Sequence, residues 1–555
     1  MRLFKFKGGV KPDTHKDASV QEPIACLPLL PLYVVPLHQS VGDVPRPLVQ
    51  VGQKVLKGER IGDADGNFSS AVHAPTSGVV KAVEPRLLPH PSGLPALCVV
   101  IEADGEDRWT ERAGLDWRNA SADDIQDFLR DAGVVGLGGA VFPSHIKLDP
   151  NRSGHTGTLI LNGAECEPWM TCDDALMREK AEIILRGGAI LRRVLGAGRM
   201  LIGIEDNKPQ AVAAMRAAAA KLDADDEGNT EILAVPTLYP TGSAKQLIRV
   251  LTGVEVPYGR RSQDFGMQCF NVATALSVYH ALERGEPLIS RIVTVTGNVE
   301  RPRNYEALIG TPIEALLSLA GVKAGTDRFI MGGPMMGFTL PAISAPVVKA
   351  TNCVIAANPA LFPPPPPELP CIRCGACAES CPQELQPMEL YWFARARNPD
   401  KAREYHLFDC TECGCCAYVC PSSIPLIDYA RFAKSEIWAR EREKAASDAA
   451  RERFEFRTLR EERDKTEKAA RLAAKIAAAH QEAATSAAAP APDDPKQALI
   501  AAALARAQAQ KQAAQPKNID QLSPATEARI RDIETQRGKA RELANAPDTP
   551  PEEKN

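Results

Sequence analysis

CIRCGACAESCP at 371–382 and CTECGCCAYVCP at 410–421 are the two stretches that decide how this chain is organised. Each has the spacing C-x2-C-x2-C-x3-C-P, so the chain contains an internal repeat of four cysteines followed by proline. In this spacing three thiolates wrap around one cubic cluster, and the fourth reaches its partner. The pattern predicts two [4Fe–4S] clusters held by Cys371, Cys374, Cys377, Cys381, Cys410, Cys413, Cys416 and Cys420.

The ligands of the two clusters should be shared between the runs, because the last cysteine of each run crosses over. We expect one cluster on Cys371, Cys374, Cys377 and Cys420, and the other on Cys381, Cys410, Cys413 and Cys416. A pair of zinc sites is the alternative, but zinc needs only two spaced pairs of ligands and no following proline. Cys415 fits no ligand position and is interpreted as a bystander or, alternatively, as a hydrogen-bond partner of a cluster sulfide.

The composition of the 555-residue chain predicts a protein with several cores. Charged residues make up 25% and the formal net charge is -4, which implies no nucleic-acid partner. No stretch approaches the ~18 uninterrupted apolar residues of a membrane helix, and the start lacks the apolar region of a secretion signal. We therefore expect a cytoplasmic chain with no transmembrane span, whose 15 cysteines serve metal rather than disulfides.

Patterns on either side of the cysteine runs indicate separate folded pieces. Short alternating runs at 36–83 are typical of small β-strands and turns. Helical patterns alternate with apolar runs at 116–281, as in an α/β domain. Five prolines at 363–367 indicate a stiff boundary. A charged helix and an Ala/Pro-rich tail complete the chain.

A glycine-rich loop at 133–147 has glycines at 136, 138 and 139 and ends at Lys147. It is neither a dinucleotide fingerprint nor a P-loop, since Val141 stands where the first needs glycine and no Gly-Lys-Ser/Thr follows. Such a loop can approach a flat ring or a phosphate closely, with Lys147 as a countercharge. The alternative is a glycine-rich turn with a solvated lysine.

A second candidate segment, NGAECEP at 162–168, follows the apolar run TLIL. It should lie at the carboxyl end of a strand, where α/β sheets bind ligands. Asn162, Glu165 and Glu167 bring an amide and two carboxylates to that end.

These segments resemble the flavoprotein subunit of respiratory complex I, and the order of modules over about residues 1–430 resembles the RnfC family of the Rnf (Rsx) electron-transport complexes. By position, the resemblance implies that the glycine loop lies against FMN and NADH. The residues it implicates are Gly136, Gly138, Gly139, Phe142 and Lys147 in the loop, Asn162, Glu165 and Glu167 in the acidic segment, and Tyr239, Gly242, Asn271 and Thr274 in YPTGSAKQL and FNVAT. Val141 replaces a family glycine, Ala164 an aspartate, and Ser243 and Ala244 a pair of glutamates, so the resemblance is closer for flavin than for nicotinamide.

The fold implied is a multidomain α/β protein. Its expected pieces are an N-terminal hammerhead-like β-sandwich hybrid at 1–112, an α/β FMN-binding domain at 113–288, a soluble-ligand-binding β-grasp module at 289–345, a Pro-rich linker at 346–367, an α-helical two-cluster ferredoxin-like domain at 368–430, a charged helix at 431–483 and a disordered tail at 484–555. A biotin or lipoate carrier role for the first piece is disfavoured, because the hairpin lacks the modified lysine.

The function implied is that of an NADH:ferredoxin oxidoreductase-type subunit of an ion-translocating complex. FMN would accept a hydride from NADH, with Glu167 and Phe142 contacting the nicotinamide and Lys147 the flavin, and two clusters would take the electrons one at a time. The subunit would be peripheral, on the cytoplasmic side of the inner membrane. It would associate with integral membrane subunits and an iron–sulfur subunit, and indirectly with ferredoxin. The alternative is a flavin-free iron–sulfur relay or docking subunit.

Overall fold

The computed structural model describes residues 2–149, 156–221, 230–486 and 495–513. The chain divides into two compact units, Met1–Ala445 and Ala446–Asn555. The first unit contains three pieces built on β-sheets and the cysteine-rich piece. Among the described helices, none is both long enough and apolar enough to cross a membrane.

The N-terminal module is built from two antiparallel sheets, as the alternating runs predict. One sheet has the order β2-β8-β7-β4 and the other β3-β5-β6. Inward-facing apolar side chains such as Val35 and Ile101 are completely buried between them. The strands are β2 (Leu32–Pro36), β3 (Arg46–Pro47), β4 (Lys54–Val55), β5 (Arg60–Asp63), β6 (Val72–His73), β7 (Gly78–Leu87) and β8 (Pro95–Ala103).

The α/β domain has a parallel four-stranded sheet of order β11-β10-β9-β12. Its strands are β9 (Thr158–Gly163), β10 (Arg199–Glu205), β11 (Thr230–Val235) and β12 (Met267–Asn271). Its helices are α1 (Ala122–Asp131), α2 (Ser144–Lys147), α3 (Cys172–Glu179), α4 (Ala181–Val194), α5 (Pro209–Ala219), α6 (Ala244–Thr252) and α7 (Val272–Arg284). Because the strands are parallel, the segments that follow β9 and β12 meet at one edge of the sheet.

Helices α4 and α7 approach each other very closely beside this sheet. A Cβ at Gly187 of α4 would lie 1.9 Å from the carbonyl oxygen of Ala275 in α7. Only glycine fits at that crossing. The contact fixes α7, whose amino terminus follows β12 directly.

The third piece is a six-stranded sheet of order β1-β14-β13-β17-β15-β16 with one helix, α8 (Ile313–Ala320). Its strands are β1 (Ala25–Cys26), β13 (Ser290–Gly297), β14 (Arg303–Leu308), β15 (Arg328–Met331), β16 (Phe338–Thr339) and β17 (Cys353–Ala357). Two expected boundaries need correction. Strand β17 lies inside the predicted linker at 346–367, and β1, from the predicted first module, pairs with β14 in this sheet.

The cysteine-rich piece consists of short helices around the two motifs. They are α9 (Ala376–Glu379), α10 (Pro387–Arg395), α11 (Pro399–Glu404) and α12 (Cys415–Tyr418). Each motif loop enters its helix through a glycine in the left-handed region, Gly375 with φ 84° and Gly414 with φ 81°.

The predicted charged helix is present as α13 (Leu426–Ser486). It begins before the expected boundary at 431, and its first turns pack into the core of the cysteine-rich piece through Ala433 and Ile437. In the second unit, the side chains at 451–482 are exposed. A further helix, α14 (Pro495–Ala513), lies within the tail that was predicted to be disordered. Residues 487–494 and 514–555 of that tail lie outside the described residues.

The first twenty residues lie against other pieces of the first unit rather than in the N-terminal module. The amide of Gly9 donates to the carbonyl of Ser380 at 2.9 Å, and the amide of Val10 donates to that of Tyr239 at 2.8 Å. Lys16 is 6% exposed, and its Nζ donates to the carbonyls of Glu165 and Met170 at 2.6 Å each. We call residues 4–19 the N-terminal strap.

Candidate functional site

The motif cysteines line two cavities in the cysteine-rich piece. The first cluster cavity is lined by Cys371, Cys374, Cys377 and Cys420. The second cluster cavity is lined by Cys381, Cys410, Cys413 and Cys416, together with Cys415. Each set takes three cysteines from one run and one from the other. Four thiols around one cavity are the donor set that a [4Fe–4S] cluster requires, so the residues present fit two such clusters.

The two cluster cavities differ in their exposure. Cys374 of the first cavity is exposed, and its neighbour Ile372 is 68% exposed. Cys413 and Cys416 of the second cavity are buried. The first cavity therefore lies at the surface of the unit, and the second lies in its interior.

The glycine loop forms a tight turn over the amino terminus of α7. The amide of Gly136 donates to the carbonyl of Phe142 at 2.8 Å, and the amide of Leu137 donates to Oγ1 of the buried Thr274 at 2.9 Å. Gly138 and Gly139 are exposed at the tip of the turn. A Cβ at Gly138 would lie 3.3 Å from the Cβ of Asn271, so a larger side chain there would have to occupy the space above β12.

Val141, in the same loop, has a φ of 42°. A β-branched residue rarely adopts this left-handed conformation. The related flavoproteins have glycine at this position, where the conformation carries no steric cost.

Asn271 connects the end of β12 with the start of two helices. Its Oδ1 accepts from the amide of Ala273 at 2.8 Å and caps α7, while its Nδ2 donates to Oδ2 of Asp173 at 2.6 Å. Burial, together with the charge of Glu165, raises the pKa of Asp173 to about 6. A carboxyl group that changes charge near neutral pH therefore lies beside the glycine loop.

Asn162 and Gly242 are brought together at the end of β9. Nδ2 of Asn162 donates to the carbonyl of Gly242 at 2.8 Å, and its Oδ1 accepts from the amide of Ala164 at 3.0 Å. A Cβ at Gly242 would lie 2.1 Å from the carbonyl oxygen of Ala164. The close approach requires glycine there, which explains why this residue stands in the third segment.

Glu165 points away from the open edge of the sheet and caps α3. Its carboxylate accepts from the amide of Asp173 at 2.9 Å and lies 3.6 Å from Nζ of the buried Lys208. Burial favours the neutral carboxyl group, but Lys208 and Lys16 outweigh it and lower the pKa of Glu165. Glu165 is thus an ionised carboxylate inside a buried charge cluster.

Glu167 lies where the α/β domain, the third sheet and the second cluster cavity meet. Its Oε1 accepts from the amides of Met335 and Met336 at 2.7 and 3.1 Å, and burial raises its pKa. Tyr239, which is 3% exposed, lies within hydrogen-bonding reach of Glu167. The hydroxyl of Tyr239 donates to the carbonyl of Cys413 at 2.6 Å. One buried side chain therefore joins the edge of the sheet to a cysteine of the second cavity.

Lys147 and Phe142 lie apart from this junction. Nζ of Lys147 donates to the carbonyl of Cys269 in the middle of β12 at 3.0 Å, and burial lowers its pKa. It is therefore not the solvated lysine of the alternative interpretation. The ring of Phe142 packs edge-on against Phe68, with centroids 6.1 Å apart.

Sequence patterns did not identify several residues that shape this site. Lys16 and Lys208 neutralise Glu165, and Arg291 donates to the carbonyl of Leu137 in the glycine loop at 3.2 Å. Each comes from a segment far away in sequence, and none stands in a recognisable motif. Only their burial would have marked them.

Four family models match consecutive parts of the chain. They are the RnfC barrel sandwich hybrid domain at 4–106, the Nuo51 FMN-binding domain at 129–280, the SLBB domain at 292–339 and the 4Fe-4S dicluster domain at 370–424. Their order agrees with the expected order of modules.

Several curated relatives are similar over most of the chain, and all are described as the RnfC component of an ion-translocating oxidoreductase complex. The relative from Salmonella arizonae is 46% identical over 545 residues, which are 97% of this chain and 78% of that protein. The relative from Edwardsiella ictaluri is 47% identical, over 84% of this chain and 58% of that protein. The relative from Pseudomonas aeruginosa is 46% identical, over 84% of this chain and 60% of that protein. The chain thus spans between about three fifths and four fifths of these relatives.

Among solved structures, the NAD+-reducing [NiFe]-hydrogenase in the air-oxidised state is similar to half of this chain and 53% of its own, with a TM-score of 0.40 and 20% identity. A likeness of that size identifies neither a ligand nor a function.

Proposed function

The chain belongs to the RnfC family of ion-translocating oxidoreductase complexes, and on that premise we propose that it passes electrons between NADH, through FMN in its α/β domain, and two [4Fe–4S] clusters. It carries an FMN-binding domain and a 4Fe-4S dicluster domain of known families. The observation that carries the proposal is the bond from Tyr239 to the carbonyl of Cys413, because it places the edge of the FMN-binding sheet beside a cluster cavity. Electron transfer between cofactors requires such proximity.

The eight motif cysteines are the proposed cluster ligands, in the crossed arrangement. Three from the first run and Cys420 hold one cluster, while Cys381 and three from the second run hold the other. The grouping of the cysteines around the two cavities supports this assignment.

FMN would lie over the carboxyl edge of the sheet, between the glycine loop and the ends of β9 and β12. Gly136, Gly138 and Gly139 leave room for a flat ring, and Asn271 and Thr274 present the amino terminus of α7, which favours an anionic group. Asn162, Gly242 and Tyr239 form the neighbouring wall. Glu165 supports the site from beneath, since its carboxylate fixes the start of α3.

Glu167 and Phe142 are the proposed contacts of the nicotinamide, and Lys147 is the proposed countercharge of the flavin. FMN, when bound, supplies the two-electron exchange with a nicotinamide and the one-electron exchange with a cluster. Binding of FMN would require Lys147 to leave the carbonyl of Cys269 or to act on the flavin through β12. Ser243 and Ala244 supply no carboxylate for the nucleotide, so hydrogen bonds from the backbone would have to hold it.

The chain would work at the cytoplasmic face of the inner membrane, attached through protein partners. The partners proposed are integral membrane subunits and an iron–sulfur subunit of the same complex, with ferredoxin reached indirectly. The exposure of Cys374 and Ile372 supports electron delivery to a partner at the first cluster cavity.

The proposal is tested on the chain purified without oxygen. Iron and sulfide for two clusters and one flavin per chain are expected, and rapid mixing with NADH should bleach the flavin. Gly138→Val should abolish flavin binding but keep the iron and sulfide, because its branched side chain would occupy the space beside Asn271. Gly198→Val is the matched control, since it lies before the opposite end of β10 and its Cβ would meet only one atom, at 3.9 Å.

Two results would contradict the proposal. Flavin that stays bound in Gly138→Val would rule out the glycine-loop site. A flavin-loaded chain that NADH does not bleach would rule out the nicotinamide half. Full clusters without flavin in the unaltered chain would support the alternative of an iron–sulfur relay or docking subunit.

A further inference from the structure

Cys415 is a buried thiol beside the second cluster cavity that no ligand position explains. It is 0% exposed and lines that cavity together with the four proposed ligands. On its other side it belongs to a small buried cluster with Tyr239 and Val10. The sulfur therefore lies between the FMN-binding domain and the second cluster.

The first motif offers an internal comparison, because the two loops correspond residue by residue. The second loop reads Cys413-Gly-Cys415-Cys416, and the first reads Cys374-Gly-Ala376-Cys377. Both loops enter a short helix through a left-handed glycine. At the position of interest, the two loops differ by one sulfur atom.

The partner of this extra sulfur is a proposed ligand. The side chain of Cys415 hydrogen-bonds the side chain of Cys413. A cysteine sulfur bound to iron carries no proton and can only accept, so Cys415 must be the donor when the cluster is present.

We propose that the Cys415 thiol donates a hydrogen bond to the sulfur of Cys413 and thereby raises the reduction potential of the second cluster relative to the first. Cys415 is a positioning residue, and the proposal rests on the proposed function. Reduction adds negative charge to a cluster and its ligand sulfurs, and a hydrogen bond to a sulfur stabilises that charge. Ala376 supplies no such donor to the first cluster.

The consequence concerns the order of reduction. The second cluster adjoins Tyr239 at the edge of the FMN-binding sheet. A donor at Cys413 makes this cluster the better acceptor of the first electron that leaves the flavin. The first cluster, without the extra donor, lies on the exposed side.

The test is a redox titration of both clusters, followed by electron paramagnetic resonance, on the full chain reconstituted without oxygen. Cys415→Ala makes the second loop equivalent to the first and should lower the midpoint potential of the second cluster. A change of up to tenfold in its reduced-to-oxidised ratio corresponds to ~59 mV for a one-electron couple. The first cluster should not shift, which also reports on correct folding.

Cys415→Ser is the matched control, because it leaves a similar void but keeps a donor. Its midpoint potential should stay closer to that of the unaltered chain than the Cys415→Ala value does. An unshifted second cluster in Cys415→Ala would overturn the inference, and so would equal shifts in both variants, which would indicate packing alone. Loss of the second cluster in both variants would also overturn it, since Cys415 would then be a ligand. The iron, sulfide and flavin contents of the unaltered chain test the proposed function separately.

Discussion

Asp173 shows how a single buried carboxyl group should make the stability of the chain depend on pH. Its pKa rises from 3.8 to about 6 on folding, chiefly through burial and then through the charge of Glu165. The folded state therefore binds this proton more tightly than the unfolded state does. As pH rises from about 4 to about 6, ionisation of Asp173 should reduce the free energy of unfolding.

Asp173→Asn should remove this dependence while keeping a partner for Asn271. Its unfolding temperature should match that of the unaltered chain near pH 4 and exceed it increasingly up to about pH 6, then stay constantly higher. Thermal unfolding followed by circular dichroism at several pH values measures the difference. A variant that is less stable at pH 7 than at pH 4, relative to the unaltered chain, would contradict the assignment.

Individual residues also mark the limit of prediction from sequence. The spacing of the cysteines predicted which of them gather around each cavity, because it is a local feature that encodes the loop and the following helix. The surroundings of Glu165 could not be predicted, since Lys16 and Lys208 reach it from distant segments. Lys147 followed a recognisable pattern, yet its ammonium group lies against β12 rather than at the tip of the loop.

Helix α13 combines two roles that its charged composition conceals. Its first turns belong to the cysteine-rich piece: Ile437 is 1% exposed, and Nζ of Lys434 donates to the carbonyl of Cys410 at 2.7 Å. Arg403 also pairs with Glu441. The sequence favoured a solvated extension from 431 onward because the abundant charges hide the few apolar residues that face the core.

Truncation should separate the two roles. A chain that ends at Ala445, the end of the first unit, should keep its iron and sulfide. A chain that ends at Ser435 lacks Ile437, and loss of such a core side chain costs about 2–5 kcal/mol. It should unfold at lower temperature and bind less iron, as iron assays and thermal unfolding would reveal. Equal iron content and stability in the two truncated chains would show that these turns are dispensable.

In the first unit as a whole, the α/β domain and the cysteine-rich piece are joined by several contacts across the proline run. Nε2 of Gln246 donates to the carbonyl of Pro382 at 3.0 Å, and the hydroxyl of Tyr258 donates to that of Gln383 at 2.7 Å. Lys245 pairs with Asp409 at 3.1 Å. The prolines at 363–367 interrupt the sequence pattern but do not prevent packing, because residues on both sides of them fold onto the same surface.

These contacts predict that cluster loss and unfolding of the sheet coincide. Heating the chain without oxygen should give one transition midpoint by visible absorbance of the clusters and by far-ultraviolet circular dichroism, because neither piece can open without exposing the other. Cluster bleaching several degrees below the loss of secondary structure would show that the cysteine-rich piece opens independently.

The N-terminal strap has a consequence for the synthesis of the chain. Lys7 pairs with Glu384, 377 positions later, and Gly9 binds Ser380. A ribosome makes the strap first and its binding surface last, at about 5–20 residues per second. For roughly twenty seconds or more at these rates, the nascent chain carries an undocked leading segment. Docking of this segment is therefore a late event, which becomes possible only after the first cysteine motif has been translated.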